Sequence, residues 1–272
     1  MAKIIMITGA SRGFGRIWAE AFLKRGDKVI AMARNKDTLI DLGEKYGDAI
    51  LPLQLDVNNR VECFDAVNKA KAHFGQIDVL INNAGYGLFG TIEETSEQQA
   101  RDQFETNVFG LLWMTQAILP VMRQQERGHI IQLSSLLGVI ASPVVGLYTA
   151  SKWAVEGLSE SLAAEVKHFG IQVTILEPNG FATDWAGASA IHTGSLAAYE
   201  QLKTAVFEEF GKISFGKPEA TAGALLQLVD EPEPPLRLFL GKVALPATQQ
   251  VYAQRMETWE HWKETAANAH GE

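Results

Sequence analysis

The sequence is poor in cysteine, in positive charge and in long apolar runs, and each shortage excludes something. Cys63 is the single cysteine among 272 residues, so no disulfide can form within the chain, and a reducing compartment suits it. Lys and Arg number 24 against 32 Asp and Glu, and the resulting charge of −8 disfavours a nucleic-acid backbone as partner. The apolar run at residues 4–7 is too short for a signal peptide or a membrane span and fits a buried first strand. The six histidines show no metal-ligand spacing. His129 is expected to be structural, and His168, His192, His261 and His270 to face solvent. No repeat or low-complexity tract interrupts the chain. These absences set the expectation of a soluble, cytoplasmic protein with no metal, no nucleic-acid partner and no membrane partner.

With 47% of its residues hydrophobic, the chain can bury a sizeable core, and its length suits one large α/β domain. Short apolar runs at 4–7, 28–32, 50–55, 77–81, 129–133, 172–176 and 237–240 alternate with helical patterns at 15–25, 36–46, 60–74, 97–126, 149–169 and 218–229. Such alternation predicts parallel strands joined by crossover helices, and runs that are apolar throughout predict a sheet buried on both faces. The expected fold is α/β: a doubly wound parallel sheet of seven strands with helices on both faces, in a single domain over residues 1–245. Residues 181–215 are rich in Ala, Gly, Ser and Thr and follow a strand's carboxyl end, where open α/β sheets bind ligands. They are expected to form a substrate lid, the alternative being a surface insertion. In the helical tail at 246–272, Met256, Trp259 and Trp262 recur at helical spacing, a stripe suited to packing or to a subunit contact. Fraying is expected from about residue 266. Cys63 falls on a predicted helix, as buried filler.

The first strand runs into Thr8-Gly9-Ala10-Ser11-Arg12-Gly13-Phe14-Gly15, which opens the first helix. Glycines let such a turn close and let backbone N–H groups approach a pyrophosphate, while the helix N-terminus adds partial positive charge. The spacing is GxxxGxG rather than GxGxxG. The second strand ends Ala31-Met32-Ala33-Arg34-Asn35, with no carboxylate to bind the ribose hydroxyls of NAD. Arg34 instead offers a planar, permanently charged fork suited to a phosphate, and Arg12 can reach the same group. The expected cofactor is NADP(H), with NAD(H) second.

Tyr148 and Lys152 are four residues apart in Gly146-Leu147-Tyr148-Thr149-Ala150-Ser151-Lys152, so on a helix both leave from one face. An ammonium beside a phenol favours the phenolate and lowers a pKa that is ordinarily near 10. A phenol so tuned can exchange a proton with a carbonyl or alcohol oxygen. The spacing alone is common; following a nucleotide loop it is specific. Together these features resemble the short-chain dehydrogenase/reductase family, in its subgroup with a TGxxxGxG loop, from Lys3 to about Leu240. Leu55-Asp56-Val57 is similar to the family segment that flanks the adenine, and Asn82-Asn83-Ala84-Gly85 to the NNAG motif beside the cofactor. Ser135 stands thirteen positions before Tyr148, the family's usual separation, and alternation along a strand end turns Ser134 the other way.

The resemblance implies a Rossmann-type fold and hydride transfer between a nicotinamide and a carbonyl carbon. It implies a catalytic set of Asn107, Ser135, Tyr148 and Lys152. Tyr148 would act as general acid or base, Lys152 would tune it and hold the ribose, Ser135 would orient the substrate oxygen, and Asn107 would hold a water. The implied cofactor contacts are Gly9, Ser11, Arg12, Gly13, Phe14, Gly15, Arg34, Asp56, Val57, Asn83, Ala84, Gly85, Tyr148, Lys152, Pro178, Gly180 and Thr183. The chain departs from the family at Pro178-Asn179-Gly180, where Pro-Gly is usual. Asn179 is expected to keep that turn as the best non-glycine choice for a left-handed backbone. Gly87, Leu88, Phe89, Leu137, Val139, Val144, Val145, Phe181 and Trp185 are expected to line an apolar pocket for a ketone, aldehyde or secondary alcohol, sugars and steroids remaining open. The alternatives are a non-catalytic NADP(H) sensor on the same fold and a 3-ketoacyl-carrier reductase. A homodimer or homotetramer is expected, with Leu111, Leu112, Met114, Trp153 and Leu158 lining either the contact or the core.

Overall fold

The computed structural model describes residues 2–187 and 190–271. Two positions of the expected lid, 188 and 189, and the chain's first and last residues lie outside the described residues. Seven strands form one sheet: β1 (Ile4–Thr8), β2 (Lys28–Ala33), β3 (Ile50–Gln54), β4 (Val79–Asn82), β5 (Gly128–Leu133), β6 (Ile171–Pro178) and β7 (Arg237–Leu240). Their order is β3-β2-β1-β4-β5-β6-β7, and every adjacent pair is parallel. The winding reverses between β1 and β4, which opens a crevice at their carboxyl ends. β1 is buried along its whole length because helices cover both faces. Met6, Ile30 and Leu80 pack on one face with Cys63, Met114 and Ile118. Ile5, Ile7, Val29 and Ile81 pack on the other with Trp18, Phe22 and Leu225.

The helices are α1 (Gly13–Arg25), α2 (Ile40–Tyr46), α3 (Arg60–Phe74), α4 (Glu97–Phe104), α5 (Leu111–Gln125), α6 (Gly146–Val166), α7 (Glu200–Lys212), α8 (Thr221–Asp230), α9 (Ala244–His261) and α10 (Lys263–Asn268). Local chemistry sets several ends. The Asn59 side chain accepts from Val61 and Glu62 N–H at the start of α3, and Ser96 with Gln99 forms a capping box on α4. Three features differ from the sequence expectation. The single helix expected over 97–126 is divided by a π turn, Glu105–Gly110. Two two-residue strands, Leu88–Phe89 and Ile191–His192, pair in parallel and are too short for alternation to reveal. In the tail, α10 continues to Asn268, past the expected fraying point. Met256, Trp259 and Trp262 are 59%, 60% and 58% exposed, so their stripe does not pack on the chain's own core. Helix α9 meets the body through buried Ala244 and through Arg255, whose guanidinium donates to Val139 O (3.1 Å) and lies over the Trp153 ring.

Cys63 is buried, and its thiol is pushed up to about 12 by burial. His129 is buried with its Nε2 2.9 Å from Thr174 Oγ1, and burial lowers its pKa to about 4. His168, His192, His261 and His270 are exposed. Among the described residues no helix is long and apolar enough to cross a membrane.

Candidate active site

The crevice begins where β1 turns into α1. Gly9 and Gly13 have φ of +67° and +55°, a region glycine enters without penalty. A Cβ on Gly15 would stand 2.4 Å from Gly9 O, so the turn closes only around a glycine there. Arg12 precedes α1 in an extended conformation with no side-chain cap, and the first turn holds no acidic residue. The helix therefore presents uncompensated N–H groups and positive partial charge to the crevice. Asn83 locks β4 to this loop: its Nδ2 donates to Thr8 O (2.8 Å) and Gly9 O (3.1 Å). Thr8 Oγ1 accepts from Asn83 and Ala84 N–H at 2.9 Å each. Ser11 and Phe14 are half-buried, and Phe14 stacks on Trp18. Arg34, exposed, stands just past β2, and Ala10 N–H donates to Met32 O (2.9 Å), joining loop and strand end. No ion pair among the described residues engages Arg12 or Arg34, whereas Arg16 is committed to Glu20 and Asp41. Past β3, Asp56 Oδ1 accepts from Asn58 N–H, and Val57 packs against Gly110, where a Cβ would fall 2.7 Å from it.

Tyr148 and Lys152 occupy successive turns of α6, both buried. Lys152 Nζ donates to Leu133 O (2.6 Å) at the end of β5 and lies 5.7 Å from the Tyr148 ring centroid. Ser135 Oγ accepts from Leu137 N–H (3.1 Å), and its hydroxyl also eases deprotonation of Tyr148. Burial outweighs that help and pushes the phenol up to about 12, while burial lowers Lys152 to about 8. A phenol lowered by its lysine, the sequence expectation, is thus not what the protein shows by itself, because desolvation of a buried anion dominates. Ser134 turns to the opposite side: a Cβ on Gly138 would lie 2.4 Å from Ser134 Oγ and 2.8 Å from Glu156 Oε1. Asn107 projects from the π turn, a helix irregularity often found at functional sites. Its Oδ1 accepts from Tyr86 N–H, and its Nδ2 donates to Tyr86 O and Ser151 Oγ, each at 3.1 Å. A Cβ on Gly85 would lie 2.9 Å from Asn107 Oδ1 and 3.9 Å from Lys152 Nζ, so this glycine keeps the space between them open.

At the end of β6, Pro178 is buried, and just past it Asn179 N–H donates to Leu240 O (3.0 Å). The expectation of a left-handed Asn179 is corrected: its φ is not positive. The left-handed residue is Gly241 (φ +97°) on the neighbouring strand end, where a Cβ would lie 1.8 Å from Asn179 Oδ1. Thr183 Oγ1 accepts from Trp185 N–H and caps a short 3-10 turn. Gly216 N–H donates to Gly180 O and Ala182 N–H to Gly216 O, tying the ends of the expected lid together. Of the expected pocket residues, Phe89, Leu137, Val145 and Trp185 cluster together, with Tyr148 and Ala190. The Trp185 ring centroid is 4.8 Å from Tyr148 and 5.1 Å from Phe89. Leu88 and Val139 are buried, and Gly87 passes so close to Trp185 that a Cβ would stand 2.7 Å from it. Phe181 lies elsewhere: it meets Phe14 edge-on at 5.3 Å and packs on the core that includes α1. Val144 is buried with φ +69°, rare for a β-branched residue and a store of local strain beside Tyr148.

Sequence reading missed Tyr86, Glu94, Ser151 and the group Glu156, Glu177 and Arg237. Glu156 carried a signal: it is four residues past Lys152, hence on the same buried face of α6. Glu94 carried none, because its partners Leu196 and Lys203 are distant in sequence.

The family model described as short chain dehydrogenase matches residues 3–192. An oxidoreductase designated BOA17 from Botryotinia fuckeliana is 40% identical over 97% of this chain and 98% of its own length. A 3-ketodihydrosphingosine reductase from Bacteroides thetaiotaomicron is 36% identical, covering 94% and 93%. The crystal structure of a short-chain dehydrogenase from Streptomyces avermitilis superposes with a TM-score of 0.91 at 35% identity, covering 98% and 99%. Solved neighbours carry either nucleotide. A chain from Burkholderia phymatum holds NAD (24% identity, TM-score 0.79, 91% and 92% covered) and one from Burkholderia cenocepacia holds NADP (26%, 0.75, 96% and 97%). The glycine-kept crevice, the open α1 N-terminus and the convergence of Ser135, Tyr148 and Lys152 agree with these matches: the chain is an oxidoreductase of the short-chain dehydrogenase/reductase family.

Proposed function

We propose that the chain is an NADP(H)-dependent reductase of a hydrophobic ketone or aldehyde, acting reversibly, with Tyr148 as general acid in reduction and general base in oxidation. The observation that carries this reading is the meeting of Ser135, the Tyr148 phenol and the Lys152 ammonium at a crevice whose β2 strand end bears Arg34 and no carboxylate. The residues present fit a dinucleotide. Gly9, Ser11, Gly13, Phe14 and Gly15 would hold its pyrophosphate at the α1 N-terminus, and Arg12 and Arg34 its 2′-phosphate. Asp56 and Val57 would flank the adenine, and Asn83, Ala84 and Gly85 would run beside the ribose. Lys152 and Tyr148 would reach the nicotinamide ribose, and Pro178, Gly180 and Thr183 the nicotinamide itself. The cofactor, when bound, supplies or accepts the hydride.

The chain's own residues handle the proton. A phenol whose pKa burial has raised to about 12 stays protonated at neutral pH and is ready to donate to a carbonyl oxygen as negative charge develops there. The Ser135 hydroxyl would orient that oxygen. Lys152, one turn along α6, would favour the phenolate left behind, and Asn107 would fix the backbone at Tyr86 beside the lysine. Apolar walls at Phe89, Leu137, Val145 and Trp185 favour an apolar substrate. A relative named for a long-chain ketone, 3-ketodihydrosphingosine, supports the same class. A homodimer or homotetramer formed through α6 and the turn between α4 and α5 is part of this reading, since Trp153 and Leu158 stand exposed on α6 and Phe109 on that turn, whereas Leu111 and Met114 of α5 are buried in the core.

Tyr148→Phe keeps the ring and removes the proton. Its kcat for NADPH-linked reduction across a panel of apolar ketones is expected to fall by about 100-fold or more, with NADPH binding retained. Retention of more than about a tenth of wild-type turnover would remove Tyr148 from the mechanism.

A further inference from the structure

Behind the Tyr148–Lys152 face lies a buried acidic group that the proposed chemistry does not use. Glu156 sits on α6, one turn past Lys152, and is 6% exposed; Glu177, near the end of β6, is fully buried. Both reach one guanidinium nitrogen: Arg237 Nε, on β7, is 3.2 Å from Glu156 Oε2 and 3.5 Å from Glu177 Oε1. Arg237 is shared further, because its Nη2 is 2.7 Å from Glu160, which is largely exposed. Three of the four buried carboxylate oxygens, Glu156 Oε1 and both of Glu177, have no hydrogen-bond donor. Two buried carboxylates against one cation cannot both stay ionised, since the second negative charge would be desolvated and uncompensated. A carboxylic acid O–H supplies the missing donor. Burial raises both acids above the ordinary carboxylate range, and the charge of Glu156 raises Glu177 further, to about 8.

We infer that Glu156 and Glu177 hold a single proton between them over Arg237, and that the negative charge left on the pair faces Lys152 and positions its ammonium. The first half stands on the cluster itself; the second rests on the reading of Lys152 as part of the proton-transfer set. Glu156 would act through Lys152 and is therefore a positioning residue. The charged groups facing the pair are Lys152 and Glu160 from α6 and Arg237 from β7, with the Ser134 hydroxyl at the end of β5. Glu156 supports the protonated form of Lys152 against desolvation, and Tyr148 lies on the lysine's other side.

The carboxyl infrared spectrum of the cofactor-free protein, carrying 13C-labelled Glu, is expected to show a buried protonated carboxyl at neutral pH. That band should be lost in both Glu156→Gln and Glu177→Gln, because each leaves one carboxylate alone with Arg237. Its absence from the wild type, or its persistence in both variants, would overturn the shared proton. The wild-type spectrum decides this even where a variant folds poorly. The second measurement is the titration of Lys152 in 13C-lysine-labelled protein, assigned through Lys152→Arg. Glu156→Gln removes the facing charge and should lower the midpoint. Glu177→Gln leaves Glu156 fully ionised and should raise it, each by about one pH unit. Midpoints that move together, or not at all, would refute the positioning role, since a merely structural effect has no reason to act in opposite directions. Neither measurement needs turnover. Opposed shifts without ketone reduction would therefore fault the proposed function, and reduction with unmoved midpoints would fault this inference.

Discussion

Arg34, just past β2, is engaged by no ion pair among the described residues, and under the proposed function it would meet the 2′-phosphate that distinguishes NADP from NAD. The residue was legible in the sequence because the end of an apolar strand and the absence of a carboxylate there are both visible in a linear chain. Charge-assisted contacts to a phosphate contribute roughly 1.5–3 kcal/mol each. Arg34→Asp is therefore expected to weaken NADPH binding by about 10- to 100-fold and to leave NADH binding nearly unchanged. Equal losses for the two nucleotides in fluorescence titrations would rule out a 2′-phosphate contact at Arg34. Asn179 shows the opposite case. Its residue type suggested a left-handed turn, yet the strained conformation belongs to Gly241 on an adjacent strand. Sequence neighbours cannot report a demand that arises across the sheet.

At the scale of elements, Glu94 is one of the side chains that fasten the segment after β6 to the body. Glu94 accepts from Thr91 N–H and hydroxyl (3.0 Å each) within its own loop. Across the gap it accepts from Leu196 N–H (2.9 Å) and from Lys203 Nζ (2.8 Å) on α7. These donors hold its carboxyl down at about 2, from an ordinary 4.5. A carboxyl lowered in the folded protein contributes its stabilisation above its ordinary value and loses it as pH falls toward about 2. The latch is thus expected to hold throughout the neutral range. Glu94→Gln faces Leu196 and Lys203 with a neutral side chain that is a weaker acceptor. Amide hydrogen exchange from Leu196 through α7 is expected to accelerate by about tenfold or more, and the KM for ketone to rise more than kcat falls. Unchanged exchange there would show that Glu94 does not secure the segment. The division of the 97–126 helix has a similar lesson: its amphipathic pattern continues through Asn107, and the bonds from Asn107 to Tyr86 and Ser151 that accompany the π turn join residues distant in sequence.

For the whole molecule, the buried Glu156–Glu177 pair makes stability depend on pH in a predictable direction. Burial raises both carboxyls in the folded state, and Glu156 raises Glu177 further, so their contribution is complete below the ordinary carboxylate pKa and is lost as pH rises through the raised value. Wild-type Tm is expected to decline from about pH 5 toward alkaline pH, and Glu177→Gln, which cannot ionise, to flatten that decline. Parallel slopes for the two proteins in calorimetry would mean that Glu177 is charged in the folded state. The exposed Trp153 and Leu158 on α6 lead to a further expectation: light scattering should give a mass of two or four chains, and Leu158→Glu should shift it toward one. A wild-type mass of one chain would contradict the oligomer.

The order of strands and helices, the glycine loop and the Tyr148–Lys152 spacing were determined by the sequence itself. Each depends on periodicity, or on residues within a turn or two of one another, which a linear chain displays. Tertiary structure alone decided that the Tyr148 phenol is held up by burial rather than brought down by its lysine, and that Phe181 packs under α1. It also decided that Glu156, Glu177 and Arg237 meet. Desolvation is a property of everything that surrounds a group, and three side chains from three separate elements become neighbours only when the sheet and α6 have assembled.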